Sequence, residues 1–89
     1  MAFPQPDYLT EEQIHTLLSR YDAAFELTMT RIRYKNKQEI RRPETITARA
    51  LLELIVESID SGWGFDMDVD LPQTGQTLMG HHDGIYWLK

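Results

Sequence analysis

The apolar residues of this chain change period at Gly62, and that change limits the folds open to it. Before Gly62 they recur at steps of three and four, the spacing that gathers side chains on one side of a helix. Ile14, Leu17, Leu18, Tyr21, Phe25, Thr28 and Ile32 form one such stripe, with Ala24 filling it. After Gly62 the step is two. Trp63, Phe65, Met67, Val69 and Leu71 alternate with Gly64, Asp66, Asp68 and Asp70, as in a strand with one buried and one wet face.

Signals at the ends of these stretches set the expected boundaries. Residues 1–9 carry Pro4 and Pro6 and are expected to form an extended arm, anchored by Tyr8 and Leu9. Thr10 followed by Gln13 is a capping box, and Glu11 and Glu12 suit a first turn. A first helix is therefore predicted over 10–36, roughly 40 Å long at 1.5 Å per residue. A basic turn over 37–43 follows. Pro43 suits a first helical position, Glu44 an opening turn and Asp60-Ser61-Gly62 a stop, so a second helix is predicted over 44–61.

Leu51, Leu52, Leu54, Ile55, Val56 and Ile59 cover an arc of roughly 200° on that second helix. One neighbouring helix cannot cover so much surface. The C-terminal segment, a second subunit or both must pack there, and a homo-oligomer, dimer or higher, is expected. Residues 62–89 are expected to be a short β or extended segment. Turns at Pro72–Gly75 and Asp83-Gly84 allow Thr77–Met79 to pair with Ile85–Leu88 as a hairpin. The fold class so reached is α+β, mainly α: a long antiparallel helical hairpin followed by a short β-hairpin or extended C-terminal segment. Eighty-nine residues suit a single domain.

Positive charge is concentrated around the junction of the two predicted helices. Seven of the nine basic residues, Arg31, Arg33, Lys35, Lys37, Arg41, Arg42 and Arg49, lie within nineteen positions that hold only two acids, Glu39 and Glu44. That segment carries +5, and because the whole chain carries −5, the other seventy residues carry −10. A basic tip on an acidic body points to an anionic ligand or partner. The candidate binding residues are Arg31, Arg33, Tyr34, Lys35, Lys37, Arg41 and Arg42. A second helix opening at Pro43 would add its free amides beside Arg41 and Arg42, and Tyr34 could stack on a base. The competing reading is a solvated loop.

Other motifs are weaker. Asp66, Asp68 and Asp70 resemble the start of a calcium loop, but the sixth position is Leu71 and the twelfth Thr77, where glycine and glutamate belong. His81 and His82, adjacent in sequence, could share a metal only from an irregular loop, with His15 and Asp83 completing the set. Leu71-Pro-Gln-Thr-Gly75 matches a sortase signal by coincidence, with no apolar span or basic tail behind it. Neither metal nor cofactor is expected, and no catalytic set stands out. Cysteine is absent, so disulfides and thiolate metal sites are excluded. No signal peptide and no membrane span is expected, and the cytoplasm is the default compartment.

The layout of long helix, basic turn and second helix resembles that of phage sponge proteins, which sequester cyclic nucleotides. The resemblance covers about half the chain, aligns no diagnostic motif and carries over no residue. The function expected is non-catalytic binding of a phosphate-bearing ligand, a nucleotide or short nucleic acid, at the basic tip; the net charge of −5 opposes wide duplex contact, so a compact nucleotide is the better fit. The alternative is a protein-binding inhibitor or adaptor, such as an anti-defence protein or an antitoxin-like partner. It would act through the same tip or through the acidic C-terminal segment with Trp63 and Trp87.

Overall fold

The structure, a computed structural model, describes residues 8–89. Its elements are α1 (Glu11–Leu18), β1 (Glu26–Lys35), β2 (Gln38–Thr47), α2 (Ala48–Ser61), β3 (Met67–Leu71), β4 (Gln76–His81) and β5 (Ile85–Leu88). The five strands form one sheet in the order β2-β1-β3-β4-β5, with every neighbouring pair antiparallel. This is a β-rich α+β fold and it corrects the mainly α reading: the long hairpin is made of strands. The layout likeness to the sponge proteins falls with it.

The difference lies in residues 19–47. The capping box forms, with the Thr10 side chain accepting from the Gln13 amide and the Gln13 side chain accepting from the Thr10 amide. The helix nonetheless stops at Leu18. Tyr21, Phe25, Thr28 and Ile32 do recur at helical steps, but Leu27 and Met29 also alternate with Thr28, Thr30, Ile32 and Tyr34, a run rich in strand formers. Alternation wins because every residue of β1 finds a partner in β2, from Glu26↔Thr47 to Lys35↔Gln38. Asn36 and Lys37 join the strands with φ of 52° and 64°. Two left-handed residues in a row make the turn whose twist suits a hairpin.

Pro43 likewise opens no helix. It lies in β2, an edge strand, where a residue without an amide hydrogen is tolerated. Thr47 caps α2, its hydroxyl accepting from the Ala50 amide at 3.2 Å. Gly62, at φ 76°, closes that helix in the left-handed conformation.

Strand parity then sorts the side chains. Leu27, Met29, Met67, Val69, Leu71, Leu78 and Tyr86 share one face and are buried there with Ile14 and Leu18 of α1 and Ala48, Leu51 and Ile55 of α2. The apolar arc of α2 is thus taken up largely by the sheet. Tyr86 lies opposite Gly80, where an added Cβ would come within 2.8 Å of its ring, so the glycine makes room for the buried aromatic. Residues of the other parity are exposed, as Thr28 and Asp70 are, or partly buried, as Thr30, Asp68 and Met79 are.

The Leu71–Gly75 motif proves to be turn chemistry. Thr74 and Gly75 donate to the Leu71 carbonyl at 3.3 and 2.9 Å, and Gly75 has φ 71°. The Gln73 amide donates to the Tyr21 hydroxyl at 3.2 Å, tying this turn to the end of α1. Of the expected N-terminal arm, 1–7 lie outside the described residues. Leu9 donates to the Tyr86 carbonyl at 2.8 Å, and the Tyr8 ring lies 6.1 Å from that of Trp87.

Candidate functional site

The sheet holds only half of its longest hairpin. β1 pairs with β3 over three residues, Met29↔Val69 to Arg31↔Met67, and the last tie is the Ile32 amide donating to Asp66 O at 2.9 Å. Beyond that bond, from Arg33 to Ile40, the chain runs on as a two-stranded ribbon whose backbone pairs only with itself. At about 3.4 Å per residue its three β1 residues, Arg33 to Lys35, reach roughly 10 Å beyond the sheet. All of the ribbon is exposed.

Parity also divides the basic residues. Arg31, Arg33 and Lys35 follow Leu27 and Met29 on the helix-covered face, and Arg42 lies directly opposite Arg31 on the same face. Successive same-face residues on a strand stand about 6.8 Å apart, so these cations form a row. The Arg31 guanidinium sits 4.3 Å from the Phe65 ring centroid, and its Nε donates to Glu44 Oε1 at 3.1 Å. Those contacts fix the inner end of the row. Among the described residues, Arg33, Lys35, Lys37 and Arg42 make no ion pair.

Arg41 belongs to the other face and is already engaged. It pairs with Asp68 and, at 3.5 Å, with Glu39. The hydrogen bond and charge of Asp68 raise its pKa above the ordinary arginine value. Arg31, Arg33, Arg42, Pro43 and Glu44 line a concavity of about 370 Å³. A second hollow, of about 520 Å³, shares Arg33 and Arg42 and adds Tyr34, Lys35 and Ile40. The seven residues singled out from sequence therefore divide: Arg31, Arg33, Tyr34, Lys35 and Arg42 border two adjoining hollows, Lys37 occupies the turn, and Arg41 is turned away. Lys37 takes a left-handed φ that costs a residue with a Cβ roughly 1–2 kcal/mol.

The helix amides expected beside Arg41 and Arg42 lie elsewhere. α2 begins at Ala48, at the opposite end of β2 from the turn, and its first amides donate to Phe25 O at 2.8 Å and Ala23 O at 3.1 Å. Among the described residues, no helix terminus contributes amides to the basic surface of the ribbon.

A second cluster lies where the ribbon leaves the sheet. Ligand atoms of Asp66, His81 and His82 all fall within 4.8 Å of one another. Asp68 pairs with Arg41 and Asp70 is exposed, so the three alternating aspartates do not converge. His15 borders a groove of about 620 Å³ with Leu52 and Val56 and is not part of the cluster. The grouping escaped the sequence because Asp66 and His81 meet only through the pairing of β3 with β4. On the remaining surface Trp63 is 70 % exposed beside a hollow of about 190 Å³ lined by Leu54, Phe65 and Tyr86. Among the described residues, no helix is long and apolar enough to cross a membrane. Comparison with known proteins finds no family model, curated protein or solved structure that matches this chain.

Proposed function

We propose that the β1–β2 ribbon binds a phosphate-bearing ligand, and that a short nucleic-acid single strand fits it better than a lone nucleotide. The observation that carries this reading is the row of Arg31, Arg33 and Lys35 with Arg42 beside them, on one face of an arm held clear of an acidic body. A row offers repeated contacts to a phosphodiester chain, whereas a mononucleotide engages one hollow. Tyr34 is 67 % exposed and borders the outer hollow, but its strand parity puts it on the ribbon face opposite the row, so the cations carry the reading without it. The −10 carried outside the basic segment opposes broad duplex contact. We take the compartment to be the cytoplasm. Self-association through the Leu52 and Val56 side of α2 would leave the arm free.

The test is fluorescence anisotropy of a labelled oligonucleotide at several salt concentrations. For single strands the slope of log K against log salt is about −0.7 per phosphate neutralised, so four contacts give about −3. Arg33→Ala and Arg42→Ala should each weaken binding and flatten that slope by roughly one contact. Absence of binding to oligonucleotides and nucleotides at low salt overturns the proposal. So does a slope that neither substitution changes.

A protein-binding role, as inhibitor or adaptor, is the second reading and rests on exposed Trp63. Large aromatics beside small apolar hollows are typical interface anchors. Under that reading Trp63→Ser loses a partner while oligonucleotide binding is unaffected.

A further inference from the structure

We infer that Asp66, His81 and His82 form a binding site for a divalent transition metal of the zinc type. Two imidazoles and a carboxylate are a donor set that suits zinc, nickel or iron and suits calcium or magnesium poorly. Neighbouring histidines on a regular strand point to opposite faces, which would forbid a shared ion. Here the strand ends between them. His81 is the last residue of β4, and His82 is the first of a three-residue turn closed by the Gly84 amide donating to His81 O at 2.9 Å. As a result both rings lie on one side, with centroids 3.9 Å apart.

The third donor comes from the residue just before β3. The last ladder pair is Met67↔Gly80, so one step further Asp66 stands across from His81 on the face away from the helices. Its Oδ1 accepts from the His82 backbone amide at 3.0 Å and lies 3.0 Å from His82 Nδ1. Two ligands each about 2.1 Å from one tetrahedral ion stand about 3.4 Å apart, so this pair needs only a small opening to share one. The turn is further held by the Gly64 amide donating to His82 O at 2.7 Å. Backbone bonds on both sides therefore hold two of the donors in place before any ion arrives.

Asp83 completes the surroundings. Its carboxylate oxygens lie 3.4 Å from His81 Nδ1 and 3.8 Å from His82 Nε2. Two carboxylates and two imidazoles thus gather oxygen and nitrogen donors at one corner of the sheet. Three protein ligands leave the remaining positions to Asp83 or water, because the His82 side chain is 59 % exposed. This site shares no residue with the row of cations and stands or falls independently of phosphate binding.

The experiment uses the full chain, treated with a chelator and then titrated with zinc in competition with a chromophoric chelator. One equivalent should bind. His81→Ala, His82→Ala and Asp66→Asn should each lower affinity about tenfold or more, while His15→Ala leaves it unchanged. Asp66→Asn keeps the oxygen that accepts from the His82 amide, so a loss in that variant reports the charge at the metal. If a variant unfolds by circular dichroism, the imidazole NMR signals of the unsubstituted protein decide. Zinc should shift those of His81 and His82 and spare those of His15. Binding that survives loss of both histidines, binding weakened equally by His15→Ala, or preference for magnesium over zinc overturns the assignment.

Discussion

The two halves of the β1–β2 hairpin have the same backbone geometry and opposite fates. In the lower half, Leu27 and Met29 are 3 % and 0 % exposed under the helices, and Met29 also pairs with Val69 of β3. In the upper half the same face continues as Arg33 and Lys35, paired only across the ribbon and left in water. An isolated two-stranded hairpin is marginal in water. The upper half therefore borrows its order from the lower half, and its residues are free to serve binding. Stability and candidate function occupy successive stretches of one alternating pattern, separated by Arg31, which stacks on Phe65 at the edge of the core.

The largest expected effect tests the lower half. Met29→Ala removes a fully buried side chain and should cost about 2–5 kcal/mol in urea unfolding; a cost under about 1 kcal/mol would mean that this part of the hairpin is no better anchored than the tip. Gly80→Ala should cost about 1–3 kcal/mol, because the new methyl group meets Met67 and the Tyr86 ring at 2.8 Å. Thermal melting of that variant sharpens the account of how the sheet accommodates Tyr86. An alkaline titration probes the same spot. Burial raises the Tyr86 pKa, partly offset by the Ser58 hydroxyl. An unfolded tyrosine ionises near pH 10, so stability is intact below about pH 10 and declines above it as the unfolded chain loses its proton first. Tyr86→Phe should remove that alkaline decline, and persistence of the decline would assign it to another group.

The smaller effects belong to the upper half. Lys37→Gly relieves a left-handed residue and should stabilise by about 1 kcal/mol while weakening phosphate binding. A stabilised protein that binds unchanged would leave the cation at the turn without a role. Arg33→Ala should change stability by less than about 0.5 kcal/mol, the usual range at exposed sites, and yet reduce oligonucleotide affinity. A large loss of stability there would erase the contrast between the halves.

Much of the local chemistry was legible. The Thr10–Gln13 box, the Gly62 stop, the alternation over Met67–Leu71 and the pairing of β4 with β5 each announce themselves within a few residues. Residues 19–47 did not, because Thr28 and Ile32 satisfy a helical step and an alternating one equally well. Asn36-Lys37 lacks the glycine that usually marks a two-residue hairpin turn, although asparagine tolerates the left-handed region and was the available signal. The basic cluster was visible as composition. Its division, with Arg42 in the row and Arg41 held by Asp68, needed the register of β1 with β2.

By itself the sequence determined where charge and apolar residues lie along the chain and how the Thr10 cap, the Gly62 stop and the C-terminal turns are made. Those are contiguous features, decided by torsional preference and by hydrogen bonds a few residues long. Tertiary structure alone decided that residues 26–47 pair as strands, which face each arginine takes, and that Asp66 meets His81 and His82. In each case the deciding partners are distant in sequence, as with Arg31 opposite Arg42 across the hairpin, Arg41 on Asp68, and Asp66 on His82. No local preference encodes such meetings, because their free energy appears only when the strands that carry them are already side by side.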